Sequence, residues 1–149
     1  MEKHSKTNSI IIIDDNPEIR LSTIINLAKI IPKGWDIVAP TNLYDAIELI
    51  EDDTRIKIAI IDNNLNSNGF QEMKSDGDYR DYRGWQLAQN IASKQDTRII
   101  SYSISGGIYM TNSTPYHFKR KLEILNGNED AIKELQELVR SLIAQTKKS

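Results

Sequence analysis

Apolar residues recur along this chain in two rhythms. Ser9–Ile13 and Ile56–Ile61 are nearly unbroken apolar runs, the signature of strands covered on both faces. Between them, Leu21, Ile24, Ile25, Ala28 and Ile31 recur at helical spacing from Pro17, which suits a first helical turn, to Pro32. "WDIVAP" from Trp35 predicts a short second strand, and Thr41 or Asn42 can cap a helix with Leu43, Ala46, Ile47 and Ile50 on its apolar face. "GWQLAQNIA" sets Leu87, Ala88, Ile91 and Ala92 on one helical face; "RIISYSI" predicts a fourth strand, and "YHFK" a short fifth. Asn128 caps a last helix whose inward positions are Ile132, Leu135, Leu138, Val139, Leu142 and Ile143.

Alternating strands and helices with continuous apolar strands predict a doubly wound parallel α/β sheet with helices on both faces. Two stretches break the rhythm. Residues 63–83 are longer than an ordinary strand-to-helix loop. "SGGIYMTNSTP", residues 105–115, is rich in glycine, serine and threonine where a helix should stand, so the fourth helix is expected to be short or missing.

Length and composition narrow the function. At 149 residues, 39% hydrophobic and 27% charged, the chain reads as one globular domain, 1–149. A formal charge of -2 gives no general attraction to nucleic acid or an anionic membrane. No apolar run has the length of a membrane span, the first residues lack a signal-peptide core, and a cytoplasmic location is expected. The absence of cysteine excludes disulfides, thiolate catalysis and zinc–cysteine sites, and the two histidines, His4 and His117, are too scattered for a metal cluster.

The chemistry-bearing feature is the way the two apolar strands end. The first runs into Asp14 and Asp15, the third into Asp62. In an open parallel sheet, ligands bind beyond the carboxyl ends of the strands where successive connections diverge. If the first and third strands are neighbours, three carboxylates converge there and call for a cation. Hard oxygen donors favour magnesium, with manganese possible, over zinc. A single Asp at a strand end is more often a cap or turn former; two strands ending this way make that reading the weaker one.

"IIIIDDNPEIR", "IAIIDNNL", "GWQLAQNI" and "RIISYSIS" together resemble the receiver domains of two-component response regulators, over nearly the whole chain. The resemblance implies a flavodoxin-like sheet of order 2-1-3-4-5, with a core of about residues 9–146 and an insertion at about 65–83. It implies Asp62 as phosphoacceptor, and Asp14, Asp15, Asp62 and the backbone carbonyl of Asn64 as metal ligands. It implies Ser103 as switch hydroxyl, Lys119 as phosphate contact and Tyr116 as the aromatic three residues before it. Lys121, with Phe118 as its aromatic, is the alternative, but that register puts Lys119 and Arg120 at apolar strand positions. The family usually follows its lysine with proline, whereas Arg120 follows Lys119.

The expected partners are a histidine kinase or histidine phosphotransfer protein and a separate output protein, with no nucleic acid and no membrane. The chain is not expected to be an enzyme beyond weak autophosphatase activity. Two other readings compete. A pseudo-receiver would act by protein contact without phosphorylation. A small magnesium-dependent phosphotransferase or phosphatase would use Asp62 as nucleophile, but Asn63 and Asn64 leave no general acid two residues beyond it. In the insertion, "SDGDYRDYRGW" reads as a solvated loop with some tyrosine packing, and residues 65–83 as a lid beside the site or a disordered loop. The start of that stretch, "NLNSNG", mimics a calcium loop but lacks its closing glutamate.

Overall fold

The computed structural model describes residues 8–53, 55–62, 65, 97–104 and 116–147, and the backbone of residues 64, 72–73, 79–80 and 82–83. Five parallel strands form one sheet: β1 (Asn8–Ile13), β2 (Trp35–Val38), β3 (Ile56–Asp62), then, after four two-residue strands, β8 (Arg98–Tyr102) and β9 (Tyr116–Phe118). Their order is β2-β1-β3-β8-β9, which is 2-1-3-4-5 in the succession of the major strands. The helices among the described residues are α1 (Pro17–Ala28), α2 (Leu43–Asp52), α3 (Lys121–Leu125) and α4 (Glu129–Lys147).

The unbroken apolar strands are explained by a core on each side of the sheet. Successive side chains of a strand point to opposite faces. Ile10, Ile12, Ile58, Ile60, Ile100, Tyr102 and Phe118 therefore join one cluster, closed by Ile19 and Leu27 of α1, Ile124 of α3, and Leu135, Val139 and Leu142 of α4. Ile11, Ile13, Ala59, Ile61 and Ile99 join the other, covered by Leu43, Ala46 and Ile50 of α2. A polar residue at any of these strand positions would be buried whichever way it pointed.

Asparagines start three of the four described helices, and Arg120 precedes the fourth without a side-chain cap. The Asn16 side chain accepts from the N–H groups of Glu18 and Ile19, Asn42 from that of Asp45, and Asn128 from that of Ala131. Each satisfies orphan donors of a first helical turn. Of the two capping candidates for α2, Asn42 is the one used. α1 stops at Ala28, one turn short of Pro32.

Two features depart from the expected layout. The fifth strand ends at Phe118, and a five-residue helix, α3, begins three residues later. The stretch after β3 is not simply a solvated loop. Its ends are tied by an antiparallel ladder between β4 (Asn64–Leu65) and β7 (Tyr82–Arg83), and within it β5 (Glu72–Met73) pairs with β6 (Tyr79–Arg80). Leu65 is fully buried in the α2-side core, so the root of the insertion is anchored where it leaves β3. The expected helix at "GWQLAQNIA", the residues 105–115 expected to replace the fourth helix, and the greater part of the insertion lie outside the described residues.

Candidate functional site

Strand pairing brings the acids together. β1 lies between β2 and β3, and Ile13 is in register with Ile61, so Asp14 and Asp15 follow one strand where Asp62 ends its neighbour. β1 is followed by β2 on one side of it, and β3 by the next strand of the sheet, β8, on the other, so the connections leave the ends of β1 and β3 in opposite directions. This is the divergence point at which open α/β sheets form a crevice. Asp14, Asp15 and Asp62 are all buried, and each offers a carboxylate oxygen within 4.8 Å of the other two.

Lys121 closes the crevice from the far side of the sheet. Its Nζ lies 2.7 Å from Asp14 Oδ2 and 3.0 Å from Asp62 Oδ1. It starts α3, and its N–H reaches back 3.4 Å to the carbonyl of Ser103, whose own N–H donates to the Phe118 carbonyl at 2.9 Å. The ends of β8 and β9 are thus stitched together, and Ser103 is buried beside the lysine. Asp14 is held on every side: Oδ1 accepts from the Asn16 N–H at 2.9 Å and Oδ2 from Lys121, while the Arg20 guanidinium donates to its backbone carbonyl at 2.8 Å.

The electrostatics follow from burial and crowding. Burial, then the neighbouring Asp14 charge, push the Asp62 carboxyl up to about 7 against the attraction of Lys121. Burial also raises Asp14, although Lys121 works against it. Burial disfavours the Lys121 ammonium, but Asp14 and Asp62 outweigh it and hold its pKa above the ordinary value. Among the described residues, Lys121 bridges two of the three acids in a space that largely excludes water. The donors are all carboxylate oxygens, and the excess negative charge suits a hard divalent cation.

Two expected placements are corrected. Lys119 is exposed; the lysine in the crevice is Lys121. The register that seemed to bury Lys119 and Arg120 does not arise, because the strand ends before them. Arg120 instead pairs with Glu123 and Glu134, each at 2.8 Å. Tyr116 turns its hydroxyl toward Gln145 of α4 at 3.5 Å. The aromatic three residues before Lys121 is Phe118, fully buried and stacked on Tyr102 at 5.7 Å between ring centroids.

Tyr102 and Arg20 were not among the expected site residues. The Tyr102 ring lies 5.8 Å from Lys121 Nζ, within the range at which a cation gains from an aromatic face. Its hydroxyl shares a 2.8 Å hydrogen bond with Thr23 of α1. That contact spans 79 residues and leaves no local mark in the sequence. Asn64 pairs with Arg83 through β4 and β7, which fixes its backbone two residues beyond Asp62.

No family model and no curated protein matches the chain at the level of sequence. Solved structures do match it. The N-terminal domain of a response regulator/sensory box/GGDEF protein from Carboxydothermus hydrogenoformans aligns over 89% of this chain and 99% of its own, with TM-score 0.54 and 14% identity. The signal receiver domain of a protein assigned as a Luxo repressor from Vibrio parahaemolyticus aligns over 89% of this chain and 96% of its own, with TM-score 0.54 and 14% identity. A protein assigned as a two-component response regulator with a GGDEF domain aligns over 89% of this chain but 51% of its own, with TM-score 0.52 and 15% identity.

Proposed function

From a receiver-domain fold with three acids and a lysine in its crevice, we propose that this protein is a phosphoacceptor signalling switch. The observation that carries the reading is the Asp14–Asp15–Asp62 cluster bridged by Lys121. In the proposed step, Asp62 attacks the phosphorus of a phosphohistidine on a histidine kinase or phosphotransfer protein. The P–N bond breaks as a P–O bond to the Asp62 carboxylate forms, and the departing imidazole takes up a proton. Transfer of this kind runs through a loose transition state, so placement and charge neutralisation do most of the work.

Asp14, Asp15 and Asp62, with the Asn64 carbonyl, are the residues that would hold magnesium. The ion would supply positive charge against the phosphoryl oxygens. Asp15 is proposed as the more direct carboxylate and Asp14, whose two oxygens accept from Asn16 and Lys121, as the one acting at longer range. Lys121 serves the opposite side, moving from Asp62 Oδ1 toward the phosphoryl group as Asp62 becomes an acyl phosphate. Ser103, buried beside it, offers a hydroxyl to the same oxygens. With acetyl phosphate and magnesium, mass spectrometry should show one added phosphate, absent without the metal and absent in Asp62→Asn. Equal labelling of Asp62→Asn would exclude the assignment; no labelling under any condition would support the pseudo-receiver.

The surface around the crevice suits a phosphohistidine-bearing protein. Ile104 follows Ser103, Leu122 follows Lys121, and Leu21 follows the Arg20 that binds the Asp14 carbonyl; all three are large, apolar and exposed. Ile25, one turn along α1, extends the strip. An apolar rim around a charged centre excludes water as a partner closes over it. Leu21→Asp should therefore slow transfer from the kinase about tenfold or more, while uptake from acetyl phosphate, which needs no docking, stays unchanged. A loss in both reactions would place Leu21 in folding rather than docking.

The output is proposed to belong to a separate protein. No helix among the described residues is long and apolar enough to cross a membrane.

A further inference from the structure

A second recess lies at the outer edge of the sheet. Its floor is Val38, Ala39 and Pro40 at the end of β2 with Leu49 of α2, and its rim is Asp45, Glu48 and Asp52, enclosing about 550 Å³. β2 has β1 on one side and no strand on the other among the described residues. The three rim acids share one flank of α2, at i, i+3 and i+7, and span about 10 Å of helix axis. No lysine or arginine is among the described residues that line the groove.

The acids are not all accounted for by the helix itself. Asp45 is: its N–H donates to Asn42 Oδ1, its Oδ2 accepts from Asn42 Nδ2, and an acid suits a helix N-terminus. Asp52 is the reverse case. It stands in the last turn, where the helix leaves partial negative charge and a base is favoured, yet α2 carries no base there. The neighbouring Asp53 is matched by Arg55 at 3.0 Å. Glu48 and Asp52 both lie exposed at the rim of a half-buried apolar floor. Asp52 thus runs against local helix preference beside apolar surface left open among the described residues, which is the pattern of a surface kept for a partner.

We propose that this groove docks a basic amphipathic helix of a partner protein. Its lysines or arginines, repeating at three- to four-residue spacing, would meet Asp45, Glu48 and Asp52. An apolar side chain between them would enter over Val38 and Leu49. Charge complementarity selects the partner: an acidic helix would be repelled, and a purely apolar one would leave the rim unmatched. The groove shares no residue with the acidic crevice, so this docking does not depend on phosphorylation.

The test is an NMR titration of the full-length ¹⁵N-labelled protein with a synthetic helical peptide bearing lysines on one face around a central leucine. Two control peptides carry glutamate for lysine, or serine for the leucine. The expected result is saturable shifts confined to Val38, Ala39, Asp45, Glu48, Leu49 and Asp52, about tenfold or more weaker binding in the Glu48→Lys/Asp52→Lys double variant, weaker binding of the serine peptide, and none of the glutamate peptide. That double variant should remain folded, since Asp52→Lys supplies the base the helix end lacks. Shifts spread equally over the acids of α4, unchanged binding by the double variant, or the same shifts from magnesium alone would overturn the proposal. So would concentration-dependent shifts at the groove without peptide, which would make a second copy its occupant.

Discussion

Lys121→Ala should destabilise the folded protein by about 3–5 kcal/mol at pH 8 without metal, the loss expected when one member of a buried ion pair is removed. Lys119→Ala should change stability by no more than about 0.5 kcal/mol, as an exposed substitution does. The asymmetry comes from what each lysine touches. Lys121 Nζ bridges Asp14 and Asp62 from a nearly inaccessible position, whereas Lys119 is exposed. Without the ammonium, two buried carboxylates would face each other with a third alongside.

Conditions should modulate that loss in a definite direction. Lowering the pH lets the uncompensated acids take up protons, so the deficit of Lys121→Ala should shrink toward pH 5. Magnesium should reduce it as well, by replacing part of the missing charge. Urea unfolding of both variants at pH 8 and pH 5, with EDTA and with magnesium, measures each effect. A costly Lys119→Ala beside a silent Lys121→Ala would reverse the assignment of the crevice lysine.

That assignment also shows where the sequence stops being legible. The runs at Ser9–Ile13 and Ile56–Ile61 announce strands because every position is buried, whichever face it takes. Asp14, Asp15 and Asp62 could be placed from those strands, since a residue ending a strand goes where the strand points. Lys121 could not. A three-residue strand is too short for a side-chain alternation to set its register, and five residues, "KLEIL", are too few for helical periodicity. One local clue was present: Arg120 and Glu123, three apart, form the ion pair of a helical turn. The two-residue ladders of the insertion carry no alternation at all. Tyr102 reads as an ordinary strand aromatic until the fold sets Lys121 beside it and Thr23 against its hydroxyl.

Asp62→Asn should make the metal-free protein more stable at neutral and alkaline pH, although it removes the residue on which the proposed function rests. Asp62 titrates at about 7 in the folded protein against an ordinary value of 3.8, because burial and the Asp14 charge disfavour its ionised form. Below about pH 4 the carboxyl is protonated whether the chain is folded or not, and it carries no penalty. Between about 4 and 7 the unfolded chain has lost the proton while the folded one retains it, so stability falls as pH rises. Above that window both forms are ionised and the full penalty, about 4 kcal/mol at 1.36 kcal/mol per unit, is present. Asparagine keeps an oxygen for Lys121 and sheds the charge. The variant should therefore match the wild type near pH 4 and exceed it in thermal midpoint by pH 8 in EDTA. Magnesium should stabilise the wild type more than the variant, because the cation binds the charge that the substitution deletes, and so bring the two midpoints together. Thermal unfolding across pH 4–8, with EDTA and with millimolar magnesium, checks both halves. A variant less stable than the wild type at pH 8 without metal would mean that the three acids are not held in mutual repulsion, and the case for a cation in the crevice would fall with it.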